Sequence, residues 1–231
     1  MMEISQRLQT THATVHYWLE RHGIPRRSWS ESAYVKQNPT GDPFLLPKSL
    51  TSRQQRLLEA SLMLYWAEGN KMQGSVRIGN LDGRMLKVFI RFLREVCHVD
   101  ERRLSVYVRV YKQFSLTAAR RYWSRLLRLP VRQVFVYPHT DKRSQAHRQW
   151  SRHGLAVLEF HNTKFKAWLD YAIEEYVNAL VRGQGQTELA KIVSGRGGGL
   201  LADGMSGSGH SVLTDEGDLV PAWGLPDQLR N

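Results

Sequence analysis

Apolar positions along this chain recur with two periods, and the change from one to the other marks its elements. Over residues 82–97, Met85, Leu86, Val88, Phe89, Phe92, Leu93 and Val96 fall on one helical face and predict a strongly amphipathic helix. Over 103–111 the pattern alternates instead. Leu104, Val106, Val108 and Val110 share one side, and Arg103, Ser105, Tyr107, Arg109 and Tyr111 share the other, as in a half-buried strand. Shorter strands are predicted at 74–80, 131–137 and 155–160. Helices are predicted from Thr51 or Ser52 to Glu68, from Ser115 to about Leu127, and from Asn162 or Thr163 onward. Helices and strands interleaved over 51–182 predict one α+β domain. A strand, an asparagine and a helix occur twice, at Asn80 and at Asn162, which suggests two halves about a pseudo-two-fold.

The first residues form a smaller unit. Ile4 and Leu8 lie one turn apart, Thr10 and Thr11 break the pattern, and a second helix places Val15, Trp18 and Leu19 inward before Gly23 ends it. A short helix, a tight polar turn and a capped helix over 1–27 resemble a partial helix-turn-helix. That resemblance implies that Thr11, His12, His16 and Tyr17 meet base edges and that Arg26 and Arg27 meet phosphates. Such folds bury residues like Ile4, Leu8, Val15 and Trp18 under a third helix, and none is evident before Ile4; an amphipathic hairpin without a DNA role fits the same pattern. Residues 28–50, punctuated by Ser, Asn, Pro and Gly, read as a linker, with Phe44, Leu45 and Leu46 docking on the main body. Residues 183–231 are Gly-rich and aperiodic and predict a disordered tail.

Charge sharpens the picture. The chain carries 33 Lys and Arg against 21 Asp and Glu, a formal +12. Residues 183–231 hold three basic and six acidic residues, so the remaining 182 residues carry a net +15. Charge of that size on a folded body favours a polyanion, with nucleic acid the commonest. The single cysteine excludes an internal disulfide and a Cys-rich zinc site. No apolar run approaches a membrane span and no signal peptide opens the chain, so the expected location is cytoplasmic, with the nucleoid as its place in a prokaryote. A glycine run at 195–199 lacks the lysine of a phosphate-binding loop.

One segment concentrates the candidate chemistry. Leu64-Tyr65-Trp66-Ala67-Glu68-Gly69 runs an apolar helix into one acid and stops at a glycine. A carboxylate at a helix C-terminus gains nothing from the macrodipole. A solvated last-turn acid followed by a glycine in the left-handed cap accounts for the pattern; so does a cation or a protein contact at Glu68.

With the strand Val76-Arg-Ile-Gly-Asn80 and the long amphipathic helix after it, this segment resembles the LAGLIDADG domain of homing endonucleases and their relatives. The resemblance covers roughly 51–180. It implies a saddle of antiparallel sheet and packed helices, with the sheet lying along double-stranded DNA. It also implies a homodimer, because one motif occurs, in which Glu68 of each copy holds Mg2+ for phosphodiester hydrolysis. On that reading Arg77, Arg103, Tyr107, Arg109 and Tyr111 face DNA, and Lys142 and Arg143 approach the scissile phosphate, Lys142 as a catalytic group. A solvated strand face explains the same arginines. The pattern departs from the family at Leu62 and Met63, where small residues let two helices meet, and at Trp66, where an acid is usual. Some relatives bind DNA as transcription regulators without cutting it, which is the alternative expectation.

Overall fold

The structure, a computed structural model, describes residues 2–72, 74–139 and 151–183, together with the backbone of 211–213 and 219–221. The chain divides into two compact units, one holding 1–41 and 203–231, the other 42–202.

In the first unit, α1 (Met2–Arg7) packs on α2 (His12–Arg21). Of the apolar residues expected inside, only Val15 is buried; Ile4, Leu8 and Trp18 stay exposed. Trp18 stacks on His22 at 5.4 Å, and the Arg21 guanidinium lies 5.4 Å from its ring. The linker expected over 28–50 is corrected in its first part, while Phe44 docks on the second unit as expected. Residues Trp29–Gln37 form α3. Ser28 Oγ accepts from the Glu31 N–H at 3.1 Å while the Glu31 carboxylate accepts from the Ser28 N–H at 2.6 Å. This reciprocal cap starts a helix that no hydrophobic period announces. Residues 42–50 belong to the second unit: Phe44 is buried edge-on to Phe165 at 5.1 Å, and the Leu45 N–H donates to the Cys97 carbonyl at 2.9 Å.

The second unit runs α4 (Ser52–Glu68), β1 (Val76–Asn80), α5 (Gly83–Glu95), β2 (Leu104–Tyr111), α6 (Leu116–Leu127), β3 (Val134–His139), β4 (Leu155–Phe160) and α7 (Thr163–Val181). It is an α+β fold whose four strands lie in the order β1-β4-β2-β3. The expected antiparallel sheet is corrected to a mixed one. β4 pairs antiparallel with β1 and with β2, but β2 and β3 are parallel, because α6 carries the chain back to the starting end before β3 begins. The two rhyming strands, β1 and β4, are direct partners, Val76 opposite Phe160 and Asn80 opposite Ala156. β4 has β2 on its other side whereas β1 is the sheet's edge, so the order is not symmetric about the pair.

One face of the sheet carries the core. Val76, Ile78, Leu104, Val106, Val108, Val110, Val134, Ala156 and Leu158 are all buried, in one cluster with Leu86, Phe89, Trp123 and Phe165 of the helices. α5 packs on β1 and β4, α6 on β2 and β3, α4 on α5 and β1, and α7 on α4. Each fully buried Leu, Val or Phe here is worth about 1.5–3 kcal/mol relative to exposure. The tail, expected to hold no regular structure, contains β5 (Ser211–Leu213) and β6 (Leu219–Pro221), paired antiparallel. Among the described residues no helix is long and apolar enough to cross a membrane.

Candidate nucleic-acid interface

α4 opens with a capping box between Thr51 and Gln54 and buries Leu58, Ser61, Leu62 and Tyr65. Leu62 is fully buried in its own core, so its bulk is absent from the helix's outer face. Ala60 and Ala67 are exposed on that outer side, Trp66 is 53% exposed, and Met63 is half-buried. The helix ends differently from the left-handed glycine cap the sequence allows. Gly69 has φ −76° and ψ 155°, an extended conformation open to any residue. Glycine is required there by contact, since a Cβ would stand 2.5 Å from the Tyr65 carbonyl oxygen and 2.6 Å from the Tyr65 ring.

From Gly69 the chain turns onto the edge of β1. Gly69 bridges to Ile78, the Asn70 N–H donates to the Arg77 carbonyl at 2.9 Å, and Asn70 Oδ1 accepts from the Arg77 N–H at 2.9 Å. Asn70 Oδ1 also accepts from the Tyr65 hydroxyl at 2.6 Å. Burial pushes the Tyr65 phenol pKa up, so it stays a donor. The Lys71 ammonium donates to the Trp66 carbonyl, a cation at the negative end of the helix. Glu68 is exposed, and its carboxylate makes no hydrogen bond or ion pair among the described residues.

None of the described helices of the second unit packs on the sheet face opposite its core. By register its first row is Arg77, Glu159 and Ser105, its second Gly79, Val157, Tyr107 and Phe135, its third Leu155, Arg109 and Tyr137, and its last Tyr111 and His139. Tyr107, Phe135, Leu155 and Tyr137 are 37–50% exposed and, by register, form an aromatic and apolar patch on this face. Tyr107 stacks on Phe135 at 5.3 Å, and Tyr111 meets His139 edge-on at 4.9 Å. Arg109 stands among these rings with no ion-pair partner among the described residues. Arg77 is differently placed. Its guanidinium donates to the buried Glu159 carboxylate at 2.9 Å, and His161 lies 3.8 Å from the same oxygen. Arg103 lies before the strand, in a turn over Glu101–Arg103.

In the N-terminal unit Thr11 is the N-cap of α2, its Oγ1 accepting from the Thr14 N–H at 3.2 Å. His12 is exposed in the first turn, and His16 Nδ1 lies 3.3 Å from Glu20. The Tyr17 hydroxyl accepts from Arg21 at 2.7 Å. Arg26 reaches 4.0 Å from Glu20, and Arg27 is exposed. The structure therefore brings Tyr107, Arg109 and Tyr111 onto one surface and leaves the N-terminal set on a separate unit. Lys142 and Arg143 lie outside the described residues. Phe135, Tyr137, Leu155 and Val157, not singled out from sequence, complete the open face. The alternation Val134-Phe135-Val136-Tyr137 carried that signal, but the register that joins it to β2 did not.

Among the described residues no three His, Cys, Asp or Glu side chains gather where a metal ion would sit. Glu68 of one chain offers a single carboxylate, which does not by itself fit Mg2+. In comparisons with known proteins, no family model matches the chain and no curated protein matches it.

Proposed function

We propose that this chain binds double-stranded DNA along the bare face of its four-stranded sheet, as a LAGLIDADG-like DNA-binding protein. One observation carries the reading: Arg109, with no ion-pair partner among the described residues, stands by register beside Tyr107, Tyr137 and Phe135 on a face that the described helices leave uncovered. A guanidinium serves phosphates or guanine edges, and tyrosines add hydroxyl and stacking contacts. The net +15 of residues 1–182 supplies the long-range attraction. The homodimer belongs to the same proposal. Its support is the outer face of α4, where Ala60 and Ala67 leave room for a second helix and Leu62 points into its own core.

Cleavage is a second reading, and the position of Glu68 favours it. That carboxylate ends the helix that would cross its copy, is exposed, and precedes the residues that tie α4 to the sheet edge. Two copies would bring two carboxylates together; no hydrolytic step is assigned to one chain.

Titrating a labelled duplex with the full chain at several salt concentrations tests the DNA reading. Binding that weakens steeply with salt, as expected for displaced counterions, supports it. Binding to RNA as tight as to duplex DNA, or no salt dependence, overturns it. Incubation with Mg2+ and duplex, beside Glu68→Gln, tests cutting: equal nicking by both proteins removes Glu68 from the chemistry.

A further inference from the structure

We infer that the helical side of the second unit carries a separate site for the phosphate of a nucleotide, in the open cavity between α5, α6 and the chain entering β4. The cavity measures ≈ 680 Å³, a size typical of small-ligand sites. Lys87 of α5, Arg121 and Arg125 one turn apart on α6, Arg128 just past its end, and the Tyr122 and His153 rings line it. Among the described residues no carboxylate lines it.

The charge distribution in this layer singles the cavity out. Arg84, Arg91 and Arg94, also on α5, are paired with Asp82, Glu95 and Glu101. Lys87, Arg121, Arg125 and Arg128 have no ion pair among the described residues. The negative end of α6 accounts for cations at Arg125 and Arg128. It accounts neither for Arg121, nearer mid-helix, nor for Lys87 on another helix. Four like charges around one cavity repel each other, and an anion relieves that repulsion. Two arginines one turn apart offer paired donors suited to phosphate oxygens.

The cavity also has a fixed aromatic wall. The Tyr122 ring stacks on the His153 imidazole at 3.8 Å and 12°, and Trp123 stands edge-on to Tyr122 at 5.2 Å. The Trp123 indole N–H donates to the His153 carbonyl at 2.8 Å. Gly154, with φ +74°, follows in a position where a Cβ would stand 2.2 Å from the Arg109 carbonyl oxygen, so the turn that carries His153 is set by glycine. The His153 Nδ1 is buried without a hydrogen-bond partner among the described residues. Burial, with the Arg152 charge beside it, lowers the His153 pKa and keeps the imidazole neutral. Cations next to a stacked ring pair fit a phosphate attached to a planar base, supplied by a free nucleotide or by a nucleic-acid strand.

The test is protection of individual arginines from phenylglyoxal in the full chain, read by peptide mass spectrometry. The probes are adenosine 5′-monophosphate, inorganic phosphate and a duplex of about 20 base pairs, each against sodium chloride of equal ionic strength. Slowing of Arg121 and Arg125 modification by roughly fivefold or more beyond chloride is the expected result. Protection by the mononucleotide assigns a free nucleotide; protection by the duplex alone assigns the strand backbone. No protection beyond chloride by any probe overturns the site. Arg121→Gln with Arg125→Gln, folded by circular dichroism, should weaken the protecting probe roughly tenfold; unchanged affinity also overturns it. Because the sheet face lies on the other side of the strands, loss of this site leaves the sheet reading to its own test.

Discussion

Asn70 satisfies both main-chain groups of Arg77, donating its N–H to the Arg77 carbonyl and accepting the Arg77 N–H at its side-chain oxygen, each at 2.9 Å. Through this contact the end of α4 closes the exposed edge of β1. An open strand edge invites pairing with other chains, and here one asparagine occupies it. The same oxygen receives the buried Tyr65 hydroxyl, so helix, loop and strand meet at one atom.

Replacing Asn70 by Ala leaves the Tyr65 hydroxyl and the Arg77 N–H without that acceptor. The expected loss is about 1–3 kcal/mol in chemical denaturation. A loss no larger than that of an exposed Asn→Ala elsewhere on the second unit would show that the Asn70 contact does not fix the end of α4.

Gly69→Ala places a methyl 2.5 Å from the Tyr65 carbonyl oxygen, which is backbone and yields little. The backbone angles at Gly69 suit alanine, so the cost is purely steric. We expect destabilisation of about 1–3 kcal/mol, with Tyr65 fluorescence or chemical shifts moved. Unaltered stability would mean that the helix end relaxes freely.

If two copies pair through the outer face of α4, Ala67→Arg should break the dimer, because a long cation cannot fit where Ala67 is exposed beside a second helix. Sedimentation equilibrium should show twice the chain mass for the parent protein and a monomer for the variant. A parent protein that stays monomeric at high concentration removes the dimer from the proposal.

His153 gives the fold a pH dependence of definite sign. Its folded-state pKa lies below the ordinary value near 6.5, because burial disfavours the charged ring. Above that ordinary value neither state holds the proton and stability is complete. As pH falls below it, the unfolded chain protonates first, and stability is lost down through the depressed folded value. Melting followed between about pH 5 and pH 7.5 should show His153→Gln losing less on acidification than the parent protein. Equal loss in both would show that His153 titrates alike folded and unfolded.

Much of this was legible in the chain. α5 and β2 declare themselves because one face of each is buried and the period survives intact from Met85 to Val96 and from Leu104 to Val110. α3 was hidden because its start rests on the Ser28–Glu31 cap rather than an apolar stripe. The open face was half visible, through Tyr107 and Arg109. Its other half depends on parallel pairing of β2 with β3 across α6, which no local pattern encodes. Arg77 read as a free cation because Glu159, which holds it, lies 82 residues away. The cavity of Lys87, Arg121 and His153 draws on three separate elements, so no segment announced it.

DNA binding through the sheet face is separated from general attraction to the helical layer by substituting each. Tyr107→Ser, Arg109→Gln and Tyr137→Ser are combined in one protein, and Arg84→Gln, which removes one positive charge from α5, is the control. Fluorescence anisotropy with a labelled duplex of about 25 base pairs, at fixed salt, reads both. The face variant should lose at least about tenfold in affinity, roughly 1.4 kcal/mol, while the control changes by less than about twofold. Equal affinity for the face variant and the parent protein would contradict binding through the sheet face.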